Sequence, residues 1–177
     1  MKTVLFATAA LALAAMAIGQ EPRPVVSSSG SQDIEFVLAA AEGGMAEVEI
    51  GRLAAERARS AEVKQFAQRM IDDHSKGGDQ LKAIAESKSI ALPAALTPKD
   101  QALHERLARL NGEAFDRAYM RAMVNDHVKD VSEFRHESHD GRDAQVRAWA
   151  AGILPTLEDH LKMAKMTKST ATAAAGN

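Results

Sequence analysis

The chain has 177 residues, with 22 Lys+Arg against 24 Asp+Glu, six histidines and no cysteine. A net charge of −2 and an aromatic content of 4% leave neither a basic face nor a stacking platform for nucleic acid. Without cysteine there is no disulfide staple and no lipid-bearing cysteine, so stability has to come from packing.

Residues 1–19 read as a signal peptide. Lys2 precedes the apolar run Val4 to Ile18, and Ala17-Ile18-Gly19 places small residues at the −3 and −1 positions, so cleavage is expected before Gln20. The run is too short and too rich in alanine for a good membrane span, which leaves no transmembrane segment after cleavage. The expected location is therefore the periplasm, with outer-membrane association left open. Residues 20–31, with Pro22, Pro24 and a serine cluster, read as a flexible lead-in to a domain over 32–168.

Abundant Ala, Leu, Glu, Lys and Arg favour helices throughout that domain. The first helix is expected from Ser31–Asp33 to about Arg59, with the apolar stripe Ile34, Val37, Leu38, Ala41, Met45 and Val48. Gly43, Gly44 and Gly51 weaken it by about 1 kcal/mol each relative to alanine, which suggests close approach of a neighbour or else a looser helix. Phe36 and Ile50 lie opposite the stripe, where they could meet a partner or a later helix. Glu49 is the carboxylate nearest the stripe, and Glu47 is expected to point away.

Ser60 can cap a second helix running to about Ser87, in an antiparallel hairpin with the first. In its segment Val63 to Leu81, the residues Val63, Ala67, Met70, Gly78 and Leu81 share one face with His74. Asp72 and Asp73 turn away from that face. A connector with Pro93 follows, and Thr97-Pro98-Lys99-Asp100 signals a short helix from Pro98 to about Leu110. The third long helix, about Glu113 to His139, has His127 in the middle of the stripe Met120, Met123, Val124, Val131 and Phe134.

Asp140-Gly141 breaks the chain, and Asp143 caps the fourth long helix, about Ala144 to Lys168. It carries Trp149, Ile153, Leu157 and Leu161, with His160 near one edge and Pro155 expected to kink it. The tail, 169–177, reads as disordered. The pattern is all-α: a four-helix bundle with a short extra helix in the helix 2–3 connector.

The runs "GGMAEVEIGRLAAERA", "VKQFAQRMIDDHSK", "AFDRAYMRAMVNDHV" and "LPTLEDHLKMA" resemble the bacterial family called domain of unknown function 4142, in the ferritin-like superfamily. The resemblance covers about Phe36 to Met166 and implies an exported ferritin-like bundle. It brings no established activity, substrate or metal. The family's Asp-His blocks fall at Asp73-His74 and Asp126-His127, and its helix 4 histidine at His160.

Adjacent helical residues point about 100° apart, so the histidines of Asp73-His74, Asp126-His127 and Asp159-His160 are expected inward and the aspartates at seams. There an aspartate could orient a neighbour's imidazole or pair with Arg or Lys. Counting from the turns puts His74 and His127 in one middle layer, with Met45 at the same level and His160 about 7 Å away. Their ring nitrogens are expected within about 4–7 Å of each other if they serve a metal.

Ferritin-type di-iron centres need Glu-x-x-His on two helices. Here Ile71 and Leu157 stand three residues before His74 and His160, which argues against di-iron. Met70 and Met123 each precede a core histidine by one turn, and thioether with imidazole suits copper. Methionine equally fills bundle cores, and a buried histidine equally serves as a hydrogen-bonded packing residue.

The reading is an exported bundle of unknown specific activity, a non-catalytic binding or stress-related envelope protein. The alternative is a copper- or zinc-binding module with candidate ligands His74, His127, His160, Glu49, Met70 and Met123. A metal-dependent oxidoreductase would further need an open coordination position and a substrate path. Enzymatic activity and self-association are left open.

Overall fold

A computed structural model describes residues 28–173, with side chains over 30–169. The expected signal peptide and residues 20–27 lie outside the described residues. Five helices follow in order: α1 (Ser28–Arg57), α2 (Ala61–Ser87), α3 (Pro98–Ala108), α4 (Gly112–Asp140) and α5 (Ala144–Ala173). Two boundaries differ from expectation. Residues 28–31, assigned to the lead-in, are already helical, and no proline stands between Pro24 and the end of that helix to bar it. At the other end α5 continues past Lys168 to Ala173.

The starts follow the cap residues. Ser60 Oγ accepts from Val63 N–H at 3.3 Å, and Thr97 Oγ1 accepts from Asp100 N–H at 3.2 Å with Pro98 at the first helical position. Asp143 accepts from Gln145 and Val146 N–H, both at 3.0 Å. Pro155 lies within α5, which remains helical on both sides of it.

The hairpins α1–α2 and α4–α5 pack side by side, α2 against α5 and α1 against α4. The end of α1 meets the start of α4, where Arg59 pairs with Glu113 at 2.7 Å. At the far end the start of α1 meets the α4–α5 turn. Neighbouring helices are therefore all antiparallel and the diagonal pair α2 and α4 runs parallel, so the connector must travel the length of the bundle. It carries α3, which lies on α1 and α4 and buries Leu107 completely.

Each hairpin turn is pinned by an aspartate from the other hairpin. Asp116 on α4 accepts from the backbone N–H groups of Arg59 (3.0 Å) and Ser60 (2.9 Å). Asp33 on α1 does the same for Arg142 (3.1 Å) and Asp143 (2.7 Å). Both carboxylates are buried, and both satisfy donors at a helix N-terminus that the helix itself leaves unpaired.

Between these ends the core is uneven. Around the α1–α2 turn, Ile50, Val63, Phe66, Met70, Phe115, Tyr119 and Met123 form one buried cluster. Gly51 permits this closeness: a Cβ there would stand 3.1 Å from Ile71 Cγ1 and 3.3 Å from Ala67 O. Toward the α4–α5 turn the apolar residues split into two smaller clusters. A cavity of about 1320 Å³ opens between the helices there. Gly43 and Gly44 border it, and a Cβ at either would meet nothing within 4 Å, so close helix approach is not their role.

The inward face of α1 is rotated from the expected stripe. Asp33, Val37, Glu47, Ile50, Gly51, Ala54 and Ala58 are buried, whereas Met45 and Val48 are only half-buried. Ile50 packs in the same cluster as Leu107 of α3, and Phe36 meets the Phe134 ring edge-on at 4.9 Å. Ile50 is thereby covered, and Phe36 is half-buried.

Candidate metal centre

Four helices converge on one polar layer inside the bundle: α1 brings Glu47, α2 His74, α4 His127 and α5 His160. The three imidazole centroids form a near-equilateral triangle with sides of 5.6, 5.3 and 5.3 Å. One nitrogen from each ring lies within 4.8 Å of those from the other two. His127 and His160 are almost inaccessible, and the His74 side chain is 10% exposed.

Each ring is oriented through its other nitrogen. His74 Nδ1 donates to Glu47 Oε2 at 2.9 Å, His127 Nδ1 donates to the Met123 carbonyl at 3.0 Å, and His160 Nε2 donates to Asp73 Oδ2 at 2.8 Å. Carbonyl and carboxylate oxygens only accept, which fixes the tautomer of each neutral ring. The nitrogens that remain are His74 Nε2, His127 Nε2 and His160 Nδ1. His74 Nε2 is buried with no partner, and the other two face each other at 3.3 Å. Two lone pairs in that position need a proton or a cation between them.

The outer layer is built with equal care for charge. Asp73 also accepts from Arg69 Nε, one turn earlier on α2, which ties His160 to a partly exposed guanidinium. Burial raises the Asp73 carboxyl, but the bonds from Arg69 and His160 prevail and lower it. Burial likewise opposes ionisation of Glu47, yet His74 and His127 draw it down to about 2. Burial pushes His74 down, and Glu47 more than reverses this, so His74 is raised. His127 is lowered by burial, and His160 falls to about 4 through burial and the neighbouring His74 and His127. Asp130, three residues beyond His127 on α4, is raised to about 8 by burial and by the Glu47 charge.

The sequence expectations meet this layer unevenly. His74, His127 and His160 come together. The 7 Å offset expected for His160 is absent, because side chains lean toward the N-terminus of their own helix and α4 and α5 run in opposite directions. Glu49 does not enter the layer: it is 43% exposed and pairs with Arg52 at 2.7 Å. Glu47, expected to face outward, takes the inward place, a consequence of the rotated face of α1. Met70 and Met123 pack in the apolar cluster, and what Met123 gives to the histidines is its backbone carbonyl. Asp73 both orients a neighbour's imidazole and pairs with an arginine, the two roles expected at a seam. Asp130 had no sequence signal apart from its helical spacing from His127. His136 is solvated and pairs with Asp140 at 2.8 Å. Tyr119 packs against Phe66 and Phe115 and its hydroxyl has no partner.

Fold and layer together define a ferritin-like helical bundle with a three-histidine cluster in its interior. The chain belongs to the family described as Domain of unknown function (DUF4142), which matches residues 19–167. No curated protein matches the chain by sequence. Among solved structures it is similar to a DUF305 fragment from Deinococcus radiodurans, with a TM-score of 0.70, 17% identity, and coverage of 78% of this chain and 96% of that one. It is also similar to CopM in a silver-bound form (TM-score 0.65, 18% identity) and in a Cu(II)-bound form (0.67, 17%), each with the same coverage. At these identities the likeness is one of fold.

Proposed function

We propose that the protein is an exported metal-binding module that holds one cation between His74 Nε2, His127 Nε2 and His160 Nδ1. The observation that carries this reading is the orientation of the rings. Each imidazole commits one nitrogen to an oxygen acceptor and leaves the other for the shared centre, as metal-ligating histidines commonly do. Imidazole suits copper and zinc, and the silver- and copper-bound forms of CopM, a protein of the same fold, favour copper. The carboxylates of Glu47 and Asp73 act as positioning residues in this reading. They offset part of the cation's charge without ligating it. Export rests on Lys2 and the apolar run Val4 to Ile18, and among the described residues no helix is long and apolar enough to cross a membrane.

The test is metal analysis of protein purified without a histidine tag, alongside a His74→Ala/His127→Ala variant. About one equivalent of copper or zinc in the parent and none in the variant is expected. Equal content in both would remove these residues as ligands. An oxidoreductase is the second reading, favoured only by the cavity that reaches the same layer.

A further inference from the structure

Two glycine pairs, Gly43-Gly44 on α1 and Gly77-Gly78 on α2, play no part in holding the histidines. Gly44 precedes Glu47 by three residues and Gly77 follows His74 by three on the antiparallel neighbour. Both pairs thus lie one turn from the metal layer, on the same side of it. All four border the cavity, and a Cβ at Gly43, Gly44 or Gly78 would enter open space. The missing side chains at Gly43 and Gly44 leave part of that space free, and it opens to solvent beside the exposed Gly78.

The cavity joins two unlike ends. Its inner end is lined by Glu47, Asp73, His74, Asp130 and His160, while His127 stands behind them. His74 is nine-tenths buried, and its Nε2 points to no protein partner. Its outer end is apolar, with Leu81, Ile84, Phe134, Trp149 and Ile153. Trp149 Nε1 is also buried without a partner. Trp149 and His160 are three turns apart on α5, so the space runs about 16 Å along the axis. A concave, mainly apolar space with a few converging polar groups is the usual form of a small-molecule site.

We propose that this cavity binds a small carboxylate with an extended apolar body, its chain along Leu81, Phe134 and Trp149 and its head at the open side of the His74–His160 layer. The choice of head follows from coordination. Three ring nitrogens leave a fourth position on a tetrahedral cation, and the cavity is the side from which an outside oxygen can reach it. A cationic head would meet the bound metal as a like charge, whereas the Glu47 and Asp73 carboxylates that an anionic head approaches are already paired, Glu47 with His74 and Asp73 with Arg69 and His160. The chain's place rests on the cavity alone, and the head's partner rests on the proposed metal reading.

Trp149 is the sole tryptophan and serves as the reporter. Dodecanoate is titrated into metal-free full-length protein and into the same protein loaded with one equivalent of silver(I), following Trp149 fluorescence. The controls are a Gly44→Leu/Gly78→Leu variant, which fills the cavity with better helix formers, and dodecanol, which lacks the charged head. The expected result is saturable binding to the parent that the leucine variant loses. Silver should tighten dodecanoate by about 5-fold or more while leaving dodecanol unchanged, and dodecanoate should tighten silver by the same factor. Unchanged fluorescence, or equal binding to the leucine variant, would overturn the cavity site. Binding of equal strength with and without bound silver would overturn the placement of the head. Failure of the protein to take up silver at all would sink the metal reading, and the metal-free titration would still decide the cavity.

Discussion

The half of the bundle around the α1–α2 turn buries a continuous cluster from Ile50 and Phe66 to Phe115 and Met123, with Gly51 letting α1 and α2 nearly touch. The half around the α4–α5 turn uses the same helices and a matching aspartate pin, yet leaves about 1320 Å³ between them. The histidine layer lies on the boundary. A metal reading needs a rigid floor that keeps three rings within ring-nitrogen reach, and any exchange of cation or ligand needs an opening. One half meets each need, so the contrast is a division of labour within one fold.

The largest expected effect tests the solid half. Phe115 is fully buried there, and Phe115→Ala should lower unfolding free energy by about 3–5 kcal/mol, read from urea denaturation. Leu81 is equally buried but borders the cavity, so the space left by Leu81→Ala adds to one already present and the cost should fall near 2 kcal/mol. Equal costs would show that the two halves are equally packed in solution.

The pins provide a second comparison. Asp116→Ala and Asp33→Ala each leave two backbone N–H groups at a turn without an acceptor, and each should cost about 1–3 kcal/mol. The backbone bonds are the same at both ends, but Asp33 also stands against the buried Glu137 carboxyl, so its removal relieves a contact between two acids and Asp33→Ala should be the less costly by up to about 1 kcal/mol. A neutral Asp33→Ala would mean that the hollow half is not held in the same way.

The proposed metal centre should respond to pH with a definite sign. His160, at about 4, keeps its lone pair through the neutral range, whereas His74 is raised by Glu47 and competes for a proton. Below the raised His74 value the cation must displace that proton, so silver(I) affinity should rise with pH by up to about tenfold per unit and level off above it. Glu47→Gln should move the rise to lower pH. A competition titration at several pH values checks both, and affinity independent of pH would place the cation away from His74.

Much of this was legible in the sequence. Caps at Ser60, Thr97 and Asp143, and the break at Asp140-Gly141, place the helices to within a few residues. The histidines on α2, α4 and α5 announced themselves by standing on apolar stripes. The face of α1 did not, because its inward series, Asp33, Val37, Ala40, Gly44, Glu47, Gly51, Ala54 and Ala58, alternates by four and three but carries small and acidic residues. Hydrophobicity alone then selected Met45 and Val48, and with them Glu49 in place of Glu47. Tracking the 3-4 spacing from Asp33 and Ala54 would have found Glu47. Nothing in the sequence distinguished a glycine that admits a neighbouring helix from one that leaves a void.

That distinction supplies the smallest and most discriminating expectation. At Gly44 and Gly78 an added methyl enters open space and relieves the helix penalty of glycine, so Gly44→Ala and Gly78→Ala should each stabilise the protein by up to about 1 kcal/mol. At Gly51 the same methyl stands 3.3 Å from the Ala67 carbonyl, which belongs to a packed helix and cannot swing aside as a side-chain tip can. The strain of overpacking, about 1–3 kcal/mol, then outweighs the gain in propensity, and Gly51→Ala should destabilise. Three identical changes in one bundle are thus expected to differ in sign according to the half they occupy. Urea midpoints resolve such differences, and a stabilising Gly51→Ala would show that α1 and α2 stand further apart there than the structure places them.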